Sequence, residues 1–143
     1  MTYYSRKLRI SFEEALAKVT TNLQQRGFSI VTTLDMKGIF WQKLGEEFRN
    51  YKILVACNAS FAFNAISLES HVGVMLPCNI VVQEHENEEI EVSAINPLEN
   101  IDKTMSTPSL VELASDVTNR LRGAIDDLRK DISDVHAEAI AYR

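Results

Sequence analysis

Apolar positions along the chain recur at two spacings, and these mark out strands and helices before any chemistry is considered. Phe12, Ala15, Leu16, Val19 and Leu23 fall three or four residues apart, the spacing of one helix face. Ser11 and Glu14 make an S-x-x-E capping box at the start of that run, where serine and glutamate side chains satisfy orphan backbone amides. Gly27 stands where a left-handed C-cap belongs. The pattern predicts a helix over 11–26, entered from a strand around 3–10. From Phe28 to Leu34 the residues are rich in β-branched types, and Phe28, Ile30, Thr32 and Leu34 alternate on one side, which predicts a half-buried strand. Asp35 can cap a short helical turn carrying Ile39, Phe40 and Leu44 and ended by Gly45. The lone Trp41 in this turn reads as a core or interface anchor rather than a cofactor-stacking platform.

Tyr51 to Cys57 forms the next strand, and its continuous apolar run Ile53-Leu54-Val55-Ala56 predicts burial on both faces and a central place in the sheet. Asn58 to Leu68 reads as a short helix burying Phe61, Ala62, Ala65, Ile66 and Leu68. Val72 to Gln83 reads as a longer strand interrupted by Pro77, which donates no ladder hydrogen bond and so predicts an edge or a bulge. Glu84 to Glu91 holds five glutamates in eight residues, with His85 among them. Its centre reads as a solvated hairpin turn leading into Ile90, Val92 and Ala94 on alternate positions. Asn96-Pro97 ends that strand, and a loop runs from there to Ser106. Thr107 as N-cap and Pro108 at the first position then open a long helix with Leu110, Ala114, Val117, Leu121, Ile125, Leu128 and Ile132 on one face. Val135, Ala139 and Ile140 extend the pattern beyond it. The order is β-α-β4-α with short helical insertions, and mostly local connections suit an antiparallel sheet covered by helices on one face, an α+β fold.

Composition narrows the partners more than the fold. At 143 residues, 45% hydrophobic and 24% charged, the chain reads as a single globular domain over 1–143. A net charge of −5 and the lack of a basic stripe disfavour nucleic acid. The apolar runs are strand-sized, far below the roughly 20 residues of a spanning helix, so no membrane partner is expected. The polar start Met1-Thr2-Tyr3-Tyr4-Ser5-Arg6-Lys7 lacks the apolar centre of a signal peptide, which predicts a cytoplasmic protein with its two cysteines reduced.

Candidate chemistry concentrates between Tyr51 and Asn79. Cys57-Asn58 and Cys78-Asn79 are twin pairs, each at or inside an apolar run, with Glu69 and His71 between them. Cysteine is often simply a small buried hydrophobe, and that reading stands beside each functional one. If the two strands are neighbours, the pairs meet, and Asn58, Asn79 and Glu69 become candidate ligand-binding residues. A metal needs three or four N, S or O ligands, for which Cys57, Cys78, Glu69 and His71 are the candidates, although no C-x-x-C or H-x-x-x-H spacing accompanies them. Nucleophilic thiol chemistry would take Cys57 or Cys78 with His71 as the catalytic candidates. Such chemistry needs a lowered thiol pKa, and no lysine or arginine lies close by in sequence. Phosphate-cradling glycine loops are absent. Three readings result: a ligand- or metal-binding domain with its site near the two pairs, a thiol-dependent enzyme or redox protein using Cys57 or Cys78, and a non-catalytic interaction scaffold. No particular cofactor is indicated.

Several of these segments occur together in one family. Ser11-Phe12-Glu13-Glu14-Ala15, Gly27-Phe28, Lys43-Leu44-Gly45, Tyr51-Lys52-Ile53-Leu54, Ala56-Cys57-Asn58, Leu76-Pro77-Cys78-Asn79 and Asn96-Pro97 stand in the order of the prokaryotic domain of unknown function 302 family, which the chain resembles over about residues 3–128. The resemblance implies a TBP-like β-α-β4-α fold and a homodimer, and it brings no established activity. Ala59 and Ser70 stand where the family usually has proline, and residues 129–143 are expected as a helical extension past its usual end.

Overall fold

The computed structural model describes residues 3–76, 78–100 and 107–130. Five strands form one antiparallel sheet: β1 (Tyr3–Leu8), β2 (Ser29–Asp35), β3 (Tyr51–Cys57), β4 (Cys78–Glu84) and β5 (Ile90–Ile95), in the spatial order β1-β5-β4-β3-β2. Helix α1 (Phe12–Gln25) comes after β1, α2 (Met36–Leu44) joins β2 to β3, and α3 (Ala59–Leu68) with a 3-10 turn (Ser70–Met75) joins β3 to β4. The short α4 (Pro97–Asn100) and the long α5 (Pro108–Asp126) complete the chain, with a 3-10 turn at Asp127–Lys130 after them. This is the α+β architecture that the hydrophobic pattern implies.

The two long helices form because their caps and periods agree. Ser11 accepts from the Glu14 amide at 3.1 Å, and Thr107 accepts from the Leu110 amide at 3.2 Å, each satisfying an otherwise orphaned donor. Gly27 adopts φ +89°, which ends α1 and turns the chain into β2. Phe12, Ala15, Val19 and Leu23 of α1, and Leu110, Ala114, Val117, Leu121 and Ile125 of α5, are buried against one face of the sheet. From the sheet, Leu54, Ala56, Cys78, Ile80, Val82, Ile90, Val92 and Ala94 meet them. Asn96 is buried at the close of β5, where the Thr118 hydroxyl donates to it at 3.4 Å and itself accepts from the Leu98 amide at 3.2 Å, tying the chain after β5 to α5.

Helices α1 and α5 cover one face of the sheet only, and two expectations about the strands are corrected. Strand β3 is second from the edge, not central, and of its apolar run only Leu54 and Ala56 are fully buried. Ile53 and Val55 point to the open face and are half-buried. A continuous apolar run looks the same in sequence whether its second face meets a layer of helices or only neighbouring side chains. In β2 the expected alternation fails because the register slips between Ile30 and Thr32. One extra residue in a strand reverses the facing of every residue beyond it, and Thr32 and Leu34 are exposed.

Further differences lie around α2 and α3. Val72 to Leu76 is not strand: residues 70–75 wind into the 3-10 turn and β4 begins only at Cys78. The expected bulge at Pro77 falls outside the described residues, as do Ile132, Val135, Ala139 and Ile140. In α3, Phe61 and Ala65 are buried as expected and Ala62 is half-buried, but Ile66 and Leu68 are exposed. Helix α2 buries none of its residues, and Trp41, 59% exposed, is no core anchor. No described helix is long and apolar enough to cross a membrane.

Candidate functional site

The two Cys-Asn pairs look alike in sequence but occupy different environments. Cys57 closes β3, half-buried, and Asn58 comes next as the N-cap of α3, its Oδ1 accepting from the Phe61 amide at 2.9 Å. Gly27 lies so close that a methyl group there would stand 3.1 Å from the Asn58 amide nitrogen. Asn58 therefore has a structural task, starting a helix after a strand. It borders a cavity of about 390 Å³ shared with Ser29, Ser60, Asn64, Asp116 and Arg120, between α3 and α5.

The second pair opens β4. Cys78 is the register partner of Ala56, so both lie on the helix-covered face, where Cys78 is buried. Burial pushes its thiol up to about 11, and the charge of Cys57 adds to the rise. The two cysteines are thus neighbours across adjacent strands, both as free thiols, and Cys78 stays protonated at neutral pH. Asn79, the next residue, faces the opposite way and is exposed on the open face. The strands bring Cys57 and Cys78 together and set Asn58 and Asn79 at different cavities.

Glu69 and His71 pair with each other. Glu69 Oε1 accepts from the His71 amide at 3.0 Å and lies 2.9 Å from His71 Nδ1, which caps the 3-10 turn. The backbone bond first, and then the ring bond, hold the Glu69 carboxyl below its ordinary value. His71 itself is 82% exposed. Among the described residues no three His, Cys, Asp or Glu side chains gather as a metal-ligand set.

A more elaborate arrangement lies on the open face. Cross-strand register lines up Tyr51, Gln83 and Glu91 in one row, and Ile53, Val81, Ser93 and Ser5 in the next. Tyr3 and Ile95 pair in a third row beside Asn79. All of these but Ile53 and Ser5 line an open cavity of about 330 Å³, with Val81 and Ile95 as apolar floor and Tyr3 and Tyr51 at opposite ends. Glu91 is held firmly: the Ser5 hydroxyl donates to Oε2 at 2.6 Å, and His85 Nε2 lies 2.9 Å from Oε1. The Ser5 bond first, with the His85 contacts and Lys7, keeps the Glu91 carboxyl below its ordinary value against the opposing effect of burial. Arg49 donates to Gln83 Oε1 at 2.9 and 3.1 Å and lies over the ring of Phe48 at 4.4 Å, fixing the Tyr51 end. Of these residues the sequence pattern singled out only Asn79. The available signal was the polar half of two alternations, Asn79-Val81-Gln83 and Glu91-Ser93-Ile95, opposite buried Ile80-Val82 and Val92-Ala94. Tyr3 and Ser5 join through the β1–β5 pairing, a contact some ninety residues apart that no local pattern announces.

Comparison with known proteins agrees with this fold. A family model for the domain of unknown function DUF302 matches residues 4–128. Among solved structures, the crystal structure of the uncharacterized conserved protein DUF302 from Bacillus stearothermophilus is similar, with a TM-score of 0.79 and 27% identity, covering 88% of this chain and 97% of that one. No curated protein matches. The family match spans most of the chain, including both Cys-Asn pairs and the strands from Tyr4 onward, and the chain belongs to the DUF302 family.

Proposed function

We propose that this protein is a small-molecule-binding domain that takes its ligand on the open face of the sheet, beside Asn79 of the second Cys-Asn pair. The observation that carries the reading is the 330 Å³ cavity on that face, which combines an apolar floor with convergent polar groups at Asn79, Ser93 and Glu91. Binding sites of small ligands have this composition, and the volume lies at the lower end of their usual range of about 300–1,000 Å³. The rigidity of the floor supports it too, because five hydrogen-bonded strands place the side chains with little freedom. Amide NMR spectra of the full chain, recorded against a fragment library, test the reading. Fragment-induced shifts should centre on Asn79, Val81, Ser93 and Ile95. Shifts confined to the Asn58 side, around Ser60 and Arg120, would sink it.

In the same reading the protein works as a cytoplasmic homodimer, for which a separate observation speaks. Helix α2 buries nothing, and Val31, Leu34, Ile39, Trp41 and Leu44 leave an apolar surface along β2 and α2 that a second copy would cover. Trp41, the chain's single tryptophan, reports on this directly. On dilution from a dimer its emission should move to the red as the indole meets water, with a matching fall in mass by light scattering. A concentration-independent monomer would contradict the dimer. The free state of both thiols suits a reducing compartment.

The thiol-enzyme reading gains less support. Cys78 is buried and holds its proton, so only Cys57 is placed to react.

A further inference from the structure

The walls of the open-face cavity narrow what it can hold, on the reading that this face is a ligand site. Strands lie about 4.8 Å apart and same-face residues about 7 Å apart along a strand. Tyr51 on β3 and Tyr3 on β1 stand three strands and two rows apart, so the floor measures roughly 14 by 14 Å. That accommodates one aromatic ring or a branched aliphatic group with a short chain.

The charge at one corner is decisive. The Glu91 side chain is only 18% exposed, and both of its oxygens take hydrogen bonds from the protein. Each carboxylate oxygen still has lone-pair capacity for a further donor. Two cations stand near: Lys7, the cross-strand partner of Glu91, lies 3.7 Å from Glu89, and Arg49 bonds the neutral Gln83 amide. His85 faces Glu91 itself. The β4–β5 hairpin adds Glu86, Glu88 and Glu89 at the same end. A carboxylate or phosphate ligand would meet this charge with repulsion. A neutral ligand would use the floor and leave the carboxylate unused. An ammonium group would use both, and Tyr51, in the same row as Glu91, is a favourable aromatic neighbour for a cation.

We propose that the open-face cavity binds a primary or secondary ammonium carried on an aromatic or branched aliphatic body, with Glu91 as its counter-charge. The ammonium donates to the Glu91 carboxylate, and the organic body lies over Val81 and Ile95 towards Tyr3. Asn79, exposed at the far side of the floor, is placed to bond a polar substituent on that body.

Three probes of one shape and different charge test this by amide NMR of the full chain: 2-phenylethylamine, 2-phenylethanol and phenylacetate. The amine should shift the Asn79, Val81, Ser93 and Ile95 amides with a Kd of about 1 mM, a reasonable strength for so small a ligand. The alcohol and the acid should bind at least about tenfold more weakly. Glu91→Gln should weaken the amine by about 10- to 100-fold and leave the alcohol unchanged. Tyr3→Leu, at a 57% exposed position that carries little folding risk, should weaken the amine and the alcohol alike, since that end takes the organic body, and the three probes on the wild type decide the ammonium class should the Glu91 variant fail to fold. Equal binding of the alcohol or the acid at these residues would overturn the ammonium class while the open-face site stands. No shift at these residues with any probe would overturn the class and the site together.

Discussion

Two Cys-Asn dipeptides, identical in sequence and both at strand ends, take up opposite tasks in this fold. In the first pair the asparagine faces its own backbone, starting α3 through the Phe61 amide, and the cysteine is half-buried. In the second the cysteine is sealed beneath the helices, and the asparagine stands on the open face at the edge of a cavity. The difference comes from the element that each pair leads into. After Asn58 the chain turns into a helix and the asparagine oxygen is needed as a cap. After Asn79 the chain continues as a strand, the ladder satisfies the backbone, and the side chain is left available. A repeated motif is thus no guide to a repeated role: its neighbours decide which of its groups remain free.

Alkylation separates the pairs by the widest margin. With a thiol near 11, Cys78 exposes on the order of one thiolate in 10,000 at pH 7, and burial blocks access as well. Mass spectrometry after iodoacetamide treatment should find Cys57 modified under native conditions and Cys78 only in denaturant. Equal labelling would erase the contrast. In urea titrations Cys78→Ser should cost about 1–3 kcal/mol, because the helix-covered face offers the buried hydroxyl little to bond, whereas Cys57→Ser should stay within about 0.5 kcal/mol.

The asparagines should differ in the opposite sense. Asn58→Ala removes a helix cap and should cost about 1 kcal/mol of stability. Asn79→Ala, at an exposed position, should change stability by less than about 0.5 kcal/mol and show itself in binding.

How legible each feature is in the sequence depends on how local its signal is. The helices over 12–25 and 108–126 were readable because their caps, Ser11 and Thr107, lie within three residues of the amides they bond, and their apolar period repeats several times. The β4–β5 hairpin was readable for the same reason. The bulge at Ile30–Thr32 was not, since nothing in Phe28-Ser29-Ile30-Val31-Thr32-Thr33-Leu34 marks the slipped residue. Val72 to Leu76 misled because a short apolar run fits a strand and a 3-10 turn equally. The candidate site was half legible. The sequence singled out Asn58 and Asn79 alike, and only strand pairing distinguishes them. The Ser5–Glu91–His85 group depends on which strand lies beside β5, a long-range fact.

That group supplies an effect that depends on pH. The Glu91 carboxyl titrates below its ordinary value of 4.5 in the folded chain, so folding favours the ionised form. The contribution is present above the unfolded value and is lost as pH falls through the lower folded value. Ser5→Ala removes the first cause of the shift. It should therefore lower stability at neutral pH by about 1 kcal/mol or less, given partial screening by water, and make little difference well below pH 4. A Ser5→Ala penalty that grew on acidification would mean that the hydrogen bond favours the protonated acid instead.

Binding by the two asparagine variants tests the central claim most directly. Amide NMR titrations of the wild type, Asn58→Ala and Asn79→Ala with one open-face fragment, at a temperature where all three are folded, would measure it. The account predicts that Asn58→Ala binds as the wild type does and that Asn79→Ala loses several-fold in affinity, with shifts centred on Val81, Ser93 and Ile95. Loss of binding in Asn58→Ala with Asn79→Ala unaffected would contradict it and move the site to the cavity between α3 and α5.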